Sequence, residues 1–255
     1  MILRLPNFLK LVVVTGILLT VFDLPAFPQT IFKSGPDQVA LVELFTSEGC
    51  SSCPPADQRM SEFLKDPNVW IVFVPVSFHV DYWNGLGWKD RFSNEEFTER
   101  QRRYARSWGS GSIYTPNFVL NGTEWKNWYQ SGMFQSRKTN SPGTLEVQIV
   151  DGQATARFTP SQNSKSSFKS CFAILGFDVE SEIQHGENSG KKLKHNFIVL
   201  NYQEKPFQFQ PTEEIWLSKI AIPTVRERVS QKGIAVWVGE DRSQIPIQAA
   251  GGLID

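Results

Sequence analysis

Cysteine, histidine and net charge are all scarce in this sequence. Three cysteines and three histidines occur in 255 residues, and 26 basic side chains balance 26 acidic ones. A chain without net charge gives no electrostatic reason to bind nucleic acid or an anionic membrane surface, so neither is expected as a partner. A structural zinc site needs four ligands, usually two cysteine pairs or one pair with two histidines at short spacing. Only Cys50 and Cys53 form a pair, and His79, His185 and His195 are not at finger spacing. Zinc is therefore a poor fit to the pair. An odd number of cysteines also argues against a framework built purely on disulfides. Internal repeats and long low-complexity tracts are missing, and no long helical period occurs beyond Ser141-Pro142-Gly143.

What is present is ordinary for a packed protein: 40% hydrophobic and 20% charged residues. Eight tryptophans and 19 phenylalanines imply large buried or binding surfaces. The N-terminus stands apart. Arg4 and Lys10 precede the apolar run Leu11 to Phe22, the order of a secretory signal. That run is short for a spanning helix, which needs about 20 apolar residues. Residues 1–26 are therefore expected to be a signal peptide, with Ala26 the best cleavage position, or an uncleaved membrane anchor. No cysteine nearby supports a lipid anchor. The chain is expected to be exported, to the periplasm or outside the cell, where disulfides persist.

FPQTIFKSGPD (27–37) reads as linker, and QVALVELFT (38–46) as a strand. Pro54 and Pro55 favour a helix start, with Asp66-Pro67 stopping the helix near Lys65. VWIVFVPVSF (69–78) is almost wholly apolar, as in a strand covered on both faces. Strand, helix, strand in this order suggests a βαβ unit. SNEEFTERQRRYARSW (93–108) reads as a helix with Ser93 as N-cap and Glu96 completing a capping box. Its charges, Glu99, Arg102, Arg103 and Arg106, form a solvated face. Asn121-Gly122 signals a hairpin turn. After Gly143 come several short strands, TLEVQIV, QATARF, FKSCFAILGFDVE, HNFIVLNYQE, EIWLSKIAI and GIAVWVGE, which suggest a second, all-β domain of sandwich type. Cys171 falls in one of them and reads as a small core hydrophobe.

ELFTSEGCSSCPPADQRM (43–60) carries the chemistry. A structural disulfide between residues this close constrains the unfolded chain little. A redox dithiol fits best, because the pair follows a strand and opens a helix. Free N–H groups at a helix start favour an anion. Cys50 is then the attacking thiolate, Cys53 the resolving thiol, and the cycle thiol–disulfide exchange through a mixed disulfide. Glu48 and Asp57 oppose a low thiol pKa, and Glu43 and Glu48 read as plain surface or strand-edge acids ahead of the alternative, relay of a proton from Cys53.

A dithiol after a strand, a following helix and a Thr-Pro before a later strand resemble the thioredoxin superfamily. The run LFTSEGCSSC is closer to a glutaredoxin start, since no Trp precedes the pair. The resemblance implies a cis proline beside the dithiol, and Thr115-Pro116 in YTPNFVLNG is the matching position. ELFTSEGCSSCPPAD, SFHVDYWNGLGWKD, FTERQRRYA, YTPNFVLNG and HGENSGKKLKH together resemble the secreted thioredoxin-like family catalogued as domain of unknown function twelve twenty-three, from about Val39 to Leu200. The resemblance implies an α/β fold: a thioredoxin-like N-terminal domain (38–140) followed by a smaller all-β, sandwich-like domain (143–251). It implies export and no defined substrate.

In a parallel sheet, functional groups gather at the C-terminal ends of strands, so the loop SFHVDYWNGLGW (77–88) should lie near Cys50. His79 is either a proton shuttle or metal ligand, or a histidine orienting the loop. Asp81 reads as a loop acceptor. Tyr82, Trp83 and Trp88 either face a peptide or pack as loop core. Thr115, Pro116, His79 and Trp83 form the candidate substrate-contacting set around Cys50 and Cys53. His185 and His195 read as exposed turn residues. Three functions follow. The first is an exported thiol–disulfide oxidoreductase, needing no cofactor and acting on thiol- or disulfide-bearing proteins. The second is a copper-binding or copper-delivery protein using Cys50, Cys53 and His79, since thiolate suits Cu(I) and imidazole is acceptable. The third is a non-catalytic interaction module with an inert disulfide. The first requires an accessible sulfur at the helix start and is abandoned if both are enclosed.

Overall fold

The computed structural model describes residues 29–130, 141–162, 166–227 and 229–254. The candidate export segment, residues 1–26, lies outside the described residues. The elements, in chain order, are β1 (Thr30–Lys33), β2 (Ala40–Thr46), α1 (Pro54–Glu62) with a 3-10 turn (Phe63–Lys65), β3 (Phe73–His79), α2 (Glu95–Ser107), β4 (Asn117–Leu120), β5 (Thr123–Glu124), β6 (Gly143–Val150), β7 (Gln153–Pro160), β8 (Phe168–Phe177), β9 (Val179–Glu182), β10 (Lys192–His195), β11 (Ile198–Pro206), β12 (Gln208–Gln210), β13 (Ile215–Ala221), β14 (Gln231–Glu240) and β15 (Pro246–Ile254).

Eight strands form one sheet in the order β15-β14-β8-β11-β3-β2-β4-β5. Five more form a second sheet, β1-β6-β7-β13-β12, and β9 pairs with β10 as a ribbon. β2 and β3 run parallel with α1 between them, from Ala40↔Phe73 to Thr46↔His79. This arrangement corrects the expected fold class. Strand accounts for 46% of the chain and helix for 12%, and strands from both halves hydrogen-bond in the same sheet through β3 and β11. The architecture is mostly β with large mixed sheets, not a thioredoxin-like α/β domain followed by a smaller sandwich. The physical reason lies in β8 and β14. Their alternate residues fill two cores at once: Phe172, Ile174, Ile234 and Val236 face the five-stranded sheet. Cys171, Ala173, Leu175 and Trp237 join the core that holds β2, β3 and the helices. Strands buried on both faces read as unbroken apolar runs, with no mark of which sheet they join.

The stretch read as linker contains β1, which pairs with β6 at Thr30↔Ile149. β15 was not expected, because IQAAGGLI is poor in strand-forming residues. Its glycines are required by close packing: a Cβ on Gly252 would stand 2.1 Å from the Phe32 ring, and one on Gly251 would stand 2.3 Å from Ile234 O. The helix cap is Asn94, whose side chain accepts from Glu96 N, while Ser93 Oγ donates to Asp90 O. Asn121 (φ 46°) and Gly122 (φ 80°) make the turn joining β4 to β5, both residues left-handed as a two-residue hairpin favours.

One buried ion pair spans the helix and the sheet. Arg100 of α2 is 1% exposed, and its Nε donates to Glu43 Oε1 at 2.6 Å. Nη1 donates to Tyr202 Oη (3.1 Å) and Gln244 Oε1 (2.9 Å), and Nη2 to Tyr104 Oη (3.3 Å). The guanidinium lies 5.1–5.6 Å from the ring centres of Phe78, Tyr104, Tyr202 and Trp237. Four aromatic faces and a carboxylate thus compensate the cost of burying this charge.

Candidate functional site

β2 ends at Thr46, and the chain turns through Ser47–Ser52 before α1. Pro54 and Pro55 occupy the first helical positions, where a missing N–H costs nothing. Cys53 stands at the N-cap without a side-chain capping bond. Cys50 and Cys53 are joined as a disulfide, with Cα atoms 5.4 Å apart. Cys50 Sγ lies 3.2 Å from Ser52 Oγ and 3.8 Å from Thr115 O. The Thr115–Pro116 bond is cis.

Two segments roof this turn. Trp83 Nε1 donates to Thr115 Oγ1 at 2.8 Å, and Trp83 Cβ would sit 3.0 Å from a Cβ on Gly49. From the loop between β9 and β10, Asn188 Nδ2 donates to Glu48 O (2.8 Å) and Cys50 O (2.9 Å), and Glu187 Oε2 accepts from Ser51 N (3.0 Å). Cys50 and Cys53 are both 0% exposed. The strand–helix–strand wiring is present, but neither sulfur is accessible.

Beneath the turn lies a group of buried titratable side chains. His79 ends β3, His195 ends β10, Asp57 projects from α1, and Glu48 and Asp90 come from the two loops. His79 Nδ1 is 2.6 Å from Asp90 Oδ2, both fully enclosed. His195 Nε2 is 3.3 Å from Glu48 Oε1, and its Nδ1 is 3.8 Å from Asp57 Oδ2. The two imidazole centres are 4.8 Å apart at 85°. Trp88 Nε1 donates to Glu48 Oε2, and Glu48 N donates to Asp90 Oδ2. Among the described residues, His79 Nε2, both His195 nitrogens, Asp57 Oδ2 and Glu48 Oε1 make no hydrogen bond of ordinary geometry. Burial opposes charge on His79, but Asp90, Asp57 and Glu48 outweigh it and push its pKa up to about 9. The same attraction, again against burial, holds Asp90 below the usual carboxylate range, chiefly through the His79 charge. Burial raises Asp57.

The candidate residues distribute as follows. Thr115 O lies 3.8 Å from Cys50 Sγ, Pro116 follows Thr115 in the chain, and Trp83 bonds Thr115 and packs against Gly49. His79 is 0% exposed and faces the buried group, not the surface. The copper set of Cys50, Cys53 and His79 is not assembled here as free donors, since the two sulfurs bond each other. His185 is exposed, whereas His195, expected on the surface, is 2% exposed. Period-2 alternation in KLKH could have signalled this, because Leu193 and His195 share the inward face of β10. Asp81 Oδ1 accepts from Thr98 Oγ1, a loop acceptor as read. Glu43 is committed to Arg100. Asp90 was missed; nothing in LGWKDRF marks it, and only the 11-residue return of the loop brings it to His79.

A family model described as "Protein of unknown function (DUF1223)" matches residues 41–239. The chain is similar to the crystal structure of protein AGR_C_4864 from Agrobacterium tumefaciens, at 23% identity and a TM-score of 0.57, covering 86% of this chain and 94% of that one. It is also similar to HBP35 of Porphyromonas gingivalis, at 13% identity and a TM-score of 0.59, covering 86% of this chain and 76% of that one. At these identities the likeness is one of fold. No curated protein matches the chain.

Proposed function

We propose that this chain, which belongs to the family described as protein of unknown function (DUF1223), is a non-catalytic module whose Cys50–Cys53 disulfide is a shielded staple. The observation that carries this reading is the complete enclosure of both sulfurs. Exchange requires in-line approach of a thiolate to one sulfur. In the closed chain neither sulfur presents a surface for that approach. The bond closes a four-residue loop, worth only about 2 kcal/mol by chain entropy. Its role is then local: it holds the turn between β2 and α1.

The rival reading, thiol–disulfide exchange with protein thiols, requires an accessible sulfur, and neither Cys50 nor Cys53 offers one in the closed chain. One experiment separates them. The wild-type chain is equilibrated against dithiol buffers of graded potential, and Cys53→Ser is used in cells to trap partners on Cys50. The staple reading expects resistance to strong thiol reductants in the folded chain, and no mixed disulfides. A titratable couple in the glutathione range of roughly −200 to −300 mV, together with partners held on Cys50, would overturn it in favour of exchange.

A further inference from the structure

We infer that Asp57, His79 and His195 form a binding site for one divalent first-row transition-metal ion of zinc type. One donor atom from each residue lies within 4.8 Å of the other two, and all three residues are buried. They come from three separate elements, α1, β3 and β10, that the fold brings to one point. Two nitrogens and a carboxylate oxygen suit zinc and its neighbours, whereas calcium and magnesium prefer oxygen alone.

The unpartnered atoms carry the argument. A buried polar atom without a hydrogen bond has given up its hydration with nothing in exchange, and such atoms are rare enough in folded proteins to need an explanation. Among the described residues, His79 Nε2, His195 Nδ1 and Asp57 Oδ2 make no hydrogen bond of ordinary geometry, and the Thr46 hydroxyl gives Asp57 only a weak one. A cation would satisfy the three together. His79 is also held from behind in the way that metal-bound histidines are. His79 Nδ1 bonds Asp90, and His195 Nε2 faces Glu48. Asp90 and Glu48 are themselves tied, Asp90 by Glu48 N and Phe92 N, and Glu48 by Trp88 Nε1. The Asp90 bond fixes the His79 ring, and His195 turns its Nδ1 to within 3.8 Å of Asp57 Oδ2.

Size and access are compatible with an ion. Tetrahedral zinc with bonds of about 2.0–2.1 Å places its donors about 3.4 Å apart, so the present triangle closes by roughly an ångström on binding. A groove of about 520 Å³ between α1 and β10 reaches the site, with Asp57, Gln58, Ser61, Leu193, Lys194 and Asn196 among its walls. Asp57, 6% exposed, is the member of the triad that meets it. This site uses neither sulfur, so it stands apart from the disulfide reading.

The test uses the full chain, stripped with a chelator and titrated with Zn²⁺ alone by calorimetry and with Co²⁺ by visible absorption. One ion per chain is expected. His79→Ala, His195→Ala and Asp57→Asn should each weaken binding at least tenfold, and Asp90→Asn should weaken it about 10–100-fold. His185→Ala and the Cys50→Ser/Cys53→Ser double variant should bind as wild type, and the Co²⁺ spectrum should lack a thiolate charge-transfer band. Should a histidine variant fail to fold, imidazole NMR of the wild-type chain decides: Co²⁺ should broaden the ring signals of His79 and His195 and spare His185. No stoichiometric binding, binding that survives both histidine variants, or broadening confined to His185 overturns the assignment. Loss of binding in the cysteine variant alone would do so as well, and would point to the sulfurs. Failure here leaves the redox titration of Cys50–Cys53 to stand on its own result.

Discussion

Replacing Asn188 with alanine should unroof the disulfide. Asn188 is fully buried, and its amide donates to Glu48 O at 2.8 Å and Cys50 O at 2.9 Å. These two bonds pin the 183–190 turn on the cysteine turn. Each contributes about 0.5–1.5 kcal/mol net, so the closed arrangement loses about 1–3 kcal/mol. With 1.4 kcal/mol per factor of ten, the open population rises about 5- to 150-fold. If opening and closing are fast relative to thiol attack, the reduction rate follows that population. The assay is reduction by dithiothreitol under native conditions, with released thiols alkylated and counted by mass. Circular dichroism checks that the fold is intact, and His185→Ala, altering an exposed side chain of the same loop, serves as the control. A rate for Asn188→Ala within twofold of wild type would refute the claim that this turn shields the bond.

Three further outcomes follow from the structure. Arg100→Met strands Glu43 in the core and should cost about 3–5 kcal/mol in urea unfolding. The double variant Glu43→Gln/Arg100→Met should recover part of that, and a single-variant cost below about 1 kcal/mol would contradict the buried-pair account. Burial opposes charge on Glu204, but Tyr202 and Lys169 outweigh it and hold its carboxyl below 4.5. Its contribution to stability is therefore present above that value and lost as pH falls through the lower folded-state value. Glu204→Gln should flatten the fall in melting temperature below about pH 4.5, and an unchanged acid limb would refute the coupling. Burial pushes the Cys171 thiol up to about 11, so iodoacetamide should label it in denaturant and not in the native chain at neutral pH. Rapid native labelling would show that β8 opens locally.

By itself the sequence determined the local chemistry of this protein. Proline and glycine punctuation located most strands, the βαβ order around α1, and the Asn121-Gly122 turn, because these depend on backbone preferences within a few residues. The strand before the pair and the prolines after it put Cys53 at a helix start, and the two-residue spacing put Cys50 within bonding reach of it. The tertiary structure decided the rest. Apolar runs such as β8 do not encode which sheet they join, so the merging of both halves into one eight-stranded sheet, and with it the fold class, came only from packing. Exposure is likewise a property of the assembled surface. Nothing near Cys50 in the chain foretells that Asn188, 138 residues on, bonds its carbonyl and helps to seal both sulfurs. The gathering of Asp57, His79 and His195 has the same cause: side chains far apart in sequence meet where α1, β3 and β10 pack, and no short-range pattern fixes that distance.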